Sequence, residues 1–309
     1  MLRTIGGRRA HRRCMDTNRE SQTQSSTVAL ITGGGRGIGR MVAVELAKQG
    51  VAVGVIARSE AELAETARMV LGVGGVGWAA KADVTHASDL RKAVGVIQRA
   101  LGPIDLLVNN AGVVGPIGPL WEIDSDEWWT TFDVNLRGMV LASQLVLPEM
   151  VAMQRGRIIN MSSQAGVHRW PLVSAYSVSK AAAAKLTENL AHETRRHGIS
   201  VFSVHPGLLP VGMGETMHDF VPATAYEAHV RAWTLNELAK CDADDPADAV
   251  QLIARLARGD GDVLSGRHIS VRDDLDALLE RHDEVSDRDL YVLRPERLDR
   301  AAQTTRRSA

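Results

Sequence analysis

A single α/β domain, built as a doubly wound parallel sheet flanked by helices on both faces, is the fold this sequence predicts, and three observations carry it. Short apolar runs of buried-strand length alternate with helical stretches from residue 27 to about residue 271. The first of these runs opens directly into a glycine-rich turn and a helix. The composition, 45% hydrophobic and 24% charged over 309 residues, is that of a globular chain with a sizeable core.

Charge and cysteine usage narrow the function classes. A formal net charge of −1 gives no electrostatic case for a nucleic-acid or membrane partner. No uninterrupted apolar run reaches the ~18 residues a bilayer-crossing helix needs. Cys14 and Cys241 have no metal-ligand or Cys-x-x-Cys spacing, so neither a disulfide framework nor a metal site is expected. A cytoplasmic compartment is the expectation.

Residues 1–26 carry Arg3, Arg8, Arg9, Arg12, Arg13 and Arg19 among few apolar residues and are expected to form a disordered extension. An organellar presequence and an over-long start, with Met15 as the first residue, are the other readings; no apolar segment of the export-signal kind follows the paired arginines. A buried strand follows at 28–32, then Gly33-Gly-Gly-Arg36-Gly37-Ile38-Gly39, then a helix to Lys48. Glycine allows a tight turn and close backbone approach, and the free N–H groups of the helix start can face a phosphate, so this unit reads as a nucleotide site.

The second strand, residues 51–57, ends in Arg58-Ser59 before a helix at 60–71. At the end of that strand an acidic residue would accept from the ribose hydroxyls of NAD, whereas arginine would pair with a 2′-phosphate. Arg58 stands there, Arg36 is a second cation, and no carboxylate ends the strand, so NADP is preferred over NAD; two solvated arginines are the alternative. A strand at 77–82 ends in Asp83-Val84, and another at 104–108 in Asn109-Asn110-Ala111-Gly112. Asp83 and Asn110 are equally suited to capping or turn roles.

A long helical pattern spans 126–148 and includes Asn135, a polar residue among apolar neighbours that needs a partner if buried. A strand at 157–161 leads into Ser162-Ser163, and the next helix begins near Tyr176. On that helix Tyr176 and Lys180 stand at i and i+4 and share one face. A cation beside a phenol lowers its pKa from about 10, which would make Tyr176 a proton donor and acceptor. Ser163, at the same sheet edge, is placed to converge with them.

Together these residues resemble the short-chain dehydrogenase/reductase family. The matches are Thr32-Gly33-x-x-x-Gly37-x-Gly39, Asp83, Asn109-Asn-Ala-Gly112, Asn135, Ser163, Tyr176-x-x-x-Lys180 and Pro206-Gly207, covering about residues 27–207. The resemblance implies a Rossmann-like single domain, a dinucleotide hydride carrier, a carbonyl or alcohol substrate, and a homodimer or homotetramer. It implies that Ser163 orients the substrate oxygen while Tyr176 exchanges a proton with it. Lys180 would lower the Tyr176 pKa and bind the nicotinamide ribose, and Asn135 would hold a water connecting Lys180 to solvent. Pro206 and Gly207 would flank the nicotinamide.

Three departures from the family pattern follow. Val211 stands where a threonine often helps hold the carboxamide, leaving Thr216 or a backbone group as the stand-in. The glycine pair that commonly ends the last strand is missing. The chain instead runs on from that strand into an acidic, helical or partly disordered tail at 273–309, outside a domain of 27–272. Residues 208–240 read as a substrate-covering loop with short helical pieces, and His168 and Arg169 as surface groups or contacts for an anionic substrate. A dinucleotide-binding sensor without hydride chemistry is the alternative function; an epimerase or lyase is disfavoured by the glycine spacing and the short carboxyl-terminal region.

Overall fold

The computed structural model describes residues 27–240 and 244–295. The Arg-rich extension, both cysteines and the last residues of the tail lie outside the described residues.

Seven parallel strands form one sheet in the order β3-β2-β1-β4-β5-β6-β7. They are β1 (Val28–Thr32), β2 (Ala52–Ala57), β3 (Gly77–Lys81), β4 (Leu106–Asn109), β5 (Gly156–Met161), β6 (Ile199–His205) and β7 (His268–Ser270). Helices α1 (Gly37–Lys48), α2 (Glu60–Gly72) and α3 (Ala87–Leu101) connect the first four strands. Strands alternate their side chains between faces, and the apolar run of β1 therefore feeds two cores. Ala29 and Ile31 pack with Val42 and Leu46 of α1, while Val28 and Leu30 pack with Leu90, Val94 and Ile97 of α3. The chain proceeds outward from β1 through β2 to β3 and then crosses back to place β4 on the other side of β1. At that reversal the connections after β1 and β4 leave on opposite faces, which opens a crevice at the carboxyl edge.

The helical pattern expected at 126–148 is longer in the structure. It comprises α4 (Ser125–Phe132), a π-helical turn at Asp133–Arg137 and α5 (Gly138–Met153). Asp124 caps its start, accepting from the backbone N–H groups of Asp126 and Glu127. The helix continues past Pro148 and ends at Gln154, which adopts a left-handed conformation with φ of 54°. By length and composition the 29-residue stretch Ser125–Met153 is apolar enough to cross a membrane. In this fold Ala142, Val146 and Met150 pack into the sheet core, yet only 33% of the apolar window is buried.

A buried polar chain ties these helices to the sheet edge. Asn109 at the end of β4 donates to Ser143 of α5 at 3.3 Å and to Asn160 of β5 at 2.9 Å. Asn160 donates in turn to Thr187 of α6 (Ser174–Thr194) at 2.9 Å. These amides are buried, so their mutual pairing sets the spacing of the carboxyl ends of β4 and β5.

Beyond β6 the chain is more helical than its sequence suggested. Residues 208–240 hold α7 (Met213–Asp219) and the 14-residue α8 (Ala225–Leu238), and α9 (Pro246–Arg258) packs against α1. The last strand is three residues long, and Gly266, with φ of 91°, precedes it and already donates its N–H to the Val201 carbonyl of β6 at 2.7 Å. The tail forms α10 (Leu275–Glu280) and α11 (His282–Asp287), and Leu275, Leu278 and Val285 join the same core as β1 and β6. The described tail is therefore packed onto the domain that the sequence reading ended at residue 272.

Two imidazoles on adjacent strands, His205 of β6 and His268 of β7, are held neutral by burial, which pushes each pKa down to about 4. The unfolded chain protonates them near 6.5 and so binds more protons than the folded chain between about 4 and 6.5. Stability should therefore fall as pH drops through that window, by on the order of 2–3 kcal/mol per imidazole. Thermal melts from pH 7 to pH 4 should show this slope, and His268→Asn should remove part of it; an unchanged slope in the variant would clear His268 of the effect.

Candidate active site

The crevice is a continuous cleft of about 1720 Å³ along the carboxyl edge of the sheet. It runs from the glycine turn and the end of β2 to the loops after β5 and β6 and the face of α8. The candidate catalytic and cofactor-binding residues line it, except Gly39, Lys180 and Asn135, which lie behind its wall; Thr32, Asn109 and Thr216 are not part of its lining either.

At one end, Gly33 and Gly37 have φ of 65° and 54°, a region L side chains rarely enter. Gly39 is buried, and a side chain there would run into Asn110 Nδ2 and the Gly33 carbonyl. Asn110 explains the crowding: its Nδ2 donates to the carbonyls of Thr32 and Gly33 at 3.1 and 3.0 Å, while its backbone N–H donates to Thr32 Oγ1 at 3.1 Å. The amide thus staples the end of β4 to the glycine turn. The 12-residue α1 has no side-chain cap at its start, so its first N–H groups remain open toward the cleft. An uncapped helix start behind a glycine cradle fits a dinucleotide pyrophosphate.

Farther along, burial raises the Asp83 carboxyl, but bonds from Thr85 N (2.9 Å) and Thr85 Oγ1 (2.8 Å), with the charges of Arg58 and His86, hold it below its ordinary range. Arg58 is exposed beside it and, among the described residues, makes no ion pair. Arg36 is different. Its Nε lies 3.7 Å from Glu62 Oε1, and Glu62 lines the cleft. The sequence shows no carboxylate at the end of β2, yet the fold delivers one from the first turn of α2.

At the other end, Ser163 leaves β5 and its Oγ accepts from the Ala165 N–H at 3.1 Å. Helix α6 begins at Ser174, slightly before the expected start, with Trp128 Nε1 donating to Ser174 Oγ at 3.0 Å. Tyr176 is therefore in its first turn and Lys180 one turn on. Lys180 is 3% exposed, its Nζ donates to the Met161 carbonyl at 2.8 Å, and it stands 5.6 Å from the Tyr176 ring centre. Burial pulls the Lys180 ammonium down to about 8. Burial raises the Tyr176 phenol, and the Ser163 hydroxyl draws it partly back. The expected lowering of Tyr176 by Lys180 is thus not the dominant effect here, because one low-dielectric setting disfavours both charged forms. The phenol is held in its protonated, donating form.

Asn135 sits in the π-helical turn and is fully buried. Its Oδ1 accepts from the Val113 N–H at 2.8 Å, and its Nδ2 donates to the Val113 carbonyl at 2.9 Å and to Ser179 Oγ at 3.0 Å. Both amide hydrogens are committed, so a bound water could meet only the second Oδ1 lone pair or the backbone carbonyl. Gly112 covers this pair: a side chain there would lie 3.3 Å from Asn135 Oδ1 and 3.6 Å from Lys180 Nζ.

Gly207, with φ of 96°, packs against Asp244. Asp244 accepts from the Leu208 N–H at 2.9 Å and takes a two-point bond from Arg272 at 2.8 and 3.0 Å, which anchors the backbone after Pro206. Val211 lines the cleft, but Thr216 does not; its hydroxyl donates to the Met213 carbonyl at 2.7 Å within α7. Thr216 instead lines a smaller adjoining pocket with Arg36, Gly112 and Met213, where its oxygen keeps lone pairs able to accept a hydrogen bond. Trp170, beyond His168 and Arg169, meets Trp233 of α8 edge-to-face at 4.9 Å and joins the covering helix to the Ser163–Tyr176 wall.

Two elements of this site escaped the sequence reading. Helix α8 has a signature in Thr224-Ala-Tyr-Glu227, whose capping box is formed in the structure. Glu62 follows Ser59 with the same spacing, but only the Ser59 half forms, with Ser59 Oγ accepting from the Glu62 N–H at 3.3 Å. The carboxylate turns to Arg36 instead, which spacing alone does not announce.

A family model described as short chain dehydrogenase matches residues 27–221. A short chain dehydrogenase of Pseudocercospora fijiensis is 33% identical over 265 residues, 84% of this chain and 84% of that protein. Among solved structures, an NAD+-bound xylitol dehydrogenase superposes with a TM-score of 0.72 at 26% identity, covering 80% of this chain and 98% of its own. An actinorhodin polyketide ketoreductase with NADPH superposes with a TM-score of 0.72 at 27% identity, covering 81% of this chain and 97% of its own.

Proposed function

From a chain that belongs to the short-chain dehydrogenase family and is thereby an NAD(P)-dependent oxidoreductase, we propose an enzyme that interconverts a ketone or aldehyde and an alcohol, preferring NADP, with Tyr176 as acid and base. The observation that carries this reading is the meeting of Ser163, Tyr176 and Lys180 at one end of a cleft whose other end is an open helix start behind a glycine cradle. The glycine turn, Ile38, Asp83, Val84, Asn110 and Ala111 would hold the dinucleotide, which when bound supplies or accepts the hydride.

The protein's own groups handle the proton. In the reducing direction Tyr176 Oη gives its proton to the substrate oxygen, while Ser163 Oγ donates to that same oxygen and fixes its direction. The raised Tyr176 pKa suits this step, because the phenol is protonated at neutral pH. As negative charge develops on Tyr176, Lys180 in its ammonium form one turn away stabilises it. Asn135 ties the Val113 backbone, in the loop after β4, to the Tyr176 turn through Ser179, whose Oγ donates to the Tyr176 carbonyl at 2.8 Å. A water on the remaining Asn135 lone pair or carbonyl would return the proton to Lys180.

Arg58 supports the NADP preference, as an exposed cation at the end of β2. A homodimer or homotetramer is supported by the outer apolar side chains of Ser125–Met153, Val134, Leu141 and Leu145 among them, which one chain buries only in part. Turnover of a panel of ketones and secondary alcohols with NADPH, NADH and their oxidised forms, followed by nicotinamide absorbance, tests the assignment. Activity on at least one carbonyl–alcohol pair is expected; cofactor binding without turnover of any pair would favour a sensor.

A further inference from the structure

The ribose end of the cleft contains an acidic group whose position is set by the backbone around it. Ser59 pins the Glu62 N–H, and Arg40 Nη2 donates to the Glu62 carbonyl at 3.4 Å, so the residue is held from both sides. Its side chain lies over Gly35, where an added Cβ would come within 3.0 Å of Glu62 Cβ and 3.1 Å of Oε2. The missing side chain at Gly35 makes room for the carboxylate at the end of β2, beside Ala57. From there Oε1 reaches to 3.7 Å from Arg36 Nε.

This ion pair contributes little to stability. The two side chains are 51% and 37% exposed, and half-exposed pairs of this kind are screened by water. Its consequence lies in what approaches Arg36. A 2′-phosphate drawn to that guanidinium must displace Glu62 or settle close to a like charge. A ribose with a free 2′-hydroxyl finds in the same carboxylate a hydrogen-bond acceptor. Arg58, also at the strand end, makes no ion pair among the described residues, and the Asp83 carboxylate feels its charge without a direct contact.

Resting on the reading above that a nicotinamide dinucleotide occupies the cleft, we propose that Glu62 is a cofactor-selectivity residue: it holds back the 2′-phosphate at Arg36 and admits NAD, leaving Arg58 to carry the preference for NADP. The preference is therefore moderate, and removing one carboxylate sharpens it.

Titration calorimetry of the full chain with NADP+, NAD+, adenosine 2′,5′-bisphosphate and AMP tests this without relying on turnover. Glu62→Gln keeps the size and polarity of the side chain but removes its charge. It should tighten NADP+ and the bisphosphate roughly fivefold while leaving AMP and NAD+ equal or weaker. Arg58→Ala should weaken NADP+ and the bisphosphate. If Arg58→Ala lowers the NADP+ to NAD+ affinity ratio but Glu62→Gln leaves it unaltered, the role of Glu62 is overturned and the NADP reading stands. If neither variant moves the ratio, the 2′-phosphate reading fails with it.

Discussion

Tyr176→Phe is expected to lower kcat by about three orders of magnitude, within the range of general acid–base contributions, while cofactor affinity stays within about twofold. The substitution removes one oxygen and leaves the ring that packs 5.6 Å from Lys180 Nζ. The cleft keeps its shape and its glycine cradle, so binding should persist. What disappears is the only phenol placed with Ser163 at the substrate end, among the described residues. Steady-state kinetics and a separate cofactor titration check this together. Equal turnover in the variant would remove Tyr176 from the mechanism, whereas loss of cofactor binding would mean that its hydroxyl is structural.

The second large effect is expected at the opposite end. Gly39→Ala would push a methyl group into the Gly33 carbonyl and Asn110 Nδ2, the two groups whose hydrogen bond joins β4 to the glycine turn. Neither can retreat freely: the carbonyl is backbone, and the amide also holds the Thr32 carbonyl. Overpacking at such a site costs on the order of 1–3 kcal/mol and forces the turn to shift. The thermal midpoint should fall by several degrees, and dinucleotide affinity should fall about tenfold or more. Melting curves with and without cofactor separate the two effects, and a variant matching the wild type in both would refute the close-packing role of Gly39. Because Gly39 lies behind the cleft wall, it would act by placing the turn without touching the ligand.

These two positions differ in how openly the chain displays them. Tyr176 and Lys180 are adjacent on any helix, since a separation of four residues places them on one face whatever surrounds them. The glycine turn is similarly local: a strand, positive-φ glycines and a helix start follow one another without interruption. The parallel sheet was legible because central strands such as β1, β2 and β4 are apolar on both faces and the strands are joined by helical connections.

Other features depend on residues far apart in the chain. Asn135 was visible as a polar residue in an apolar helix, but its partners Val113 and Ser179 were not, nor was the π-helical turn that aims it. The effect on Tyr176 and Lys180 had its sign set by burial: adjacency suggested a lowered phenol, and a shared low-dielectric pocket instead raised the phenol and lowered the ammonium. Residues 208–240 carry little strand or helix periodicity, yet they hold α8, whose Trp233 reaches Trp170 across the cleft.

The ribose end shows the same division most sharply. Local spacing established that arginine and not a carboxylate ends β2, and that inference depends only on neighbours in sequence. The presence of Glu62 beside Arg36 depends on the packing angle of α2 against the glycine turn and on the absence of a side chain at Gly35. Periodicity and spacing report interactions within a helix or strand, so the chain's order specified the sheet, the cradle and the Tyr176–Lys180 pair. Charges and amides act through space over a few ångströms, so their partners and pKa values were set where separate elements came to rest against one another.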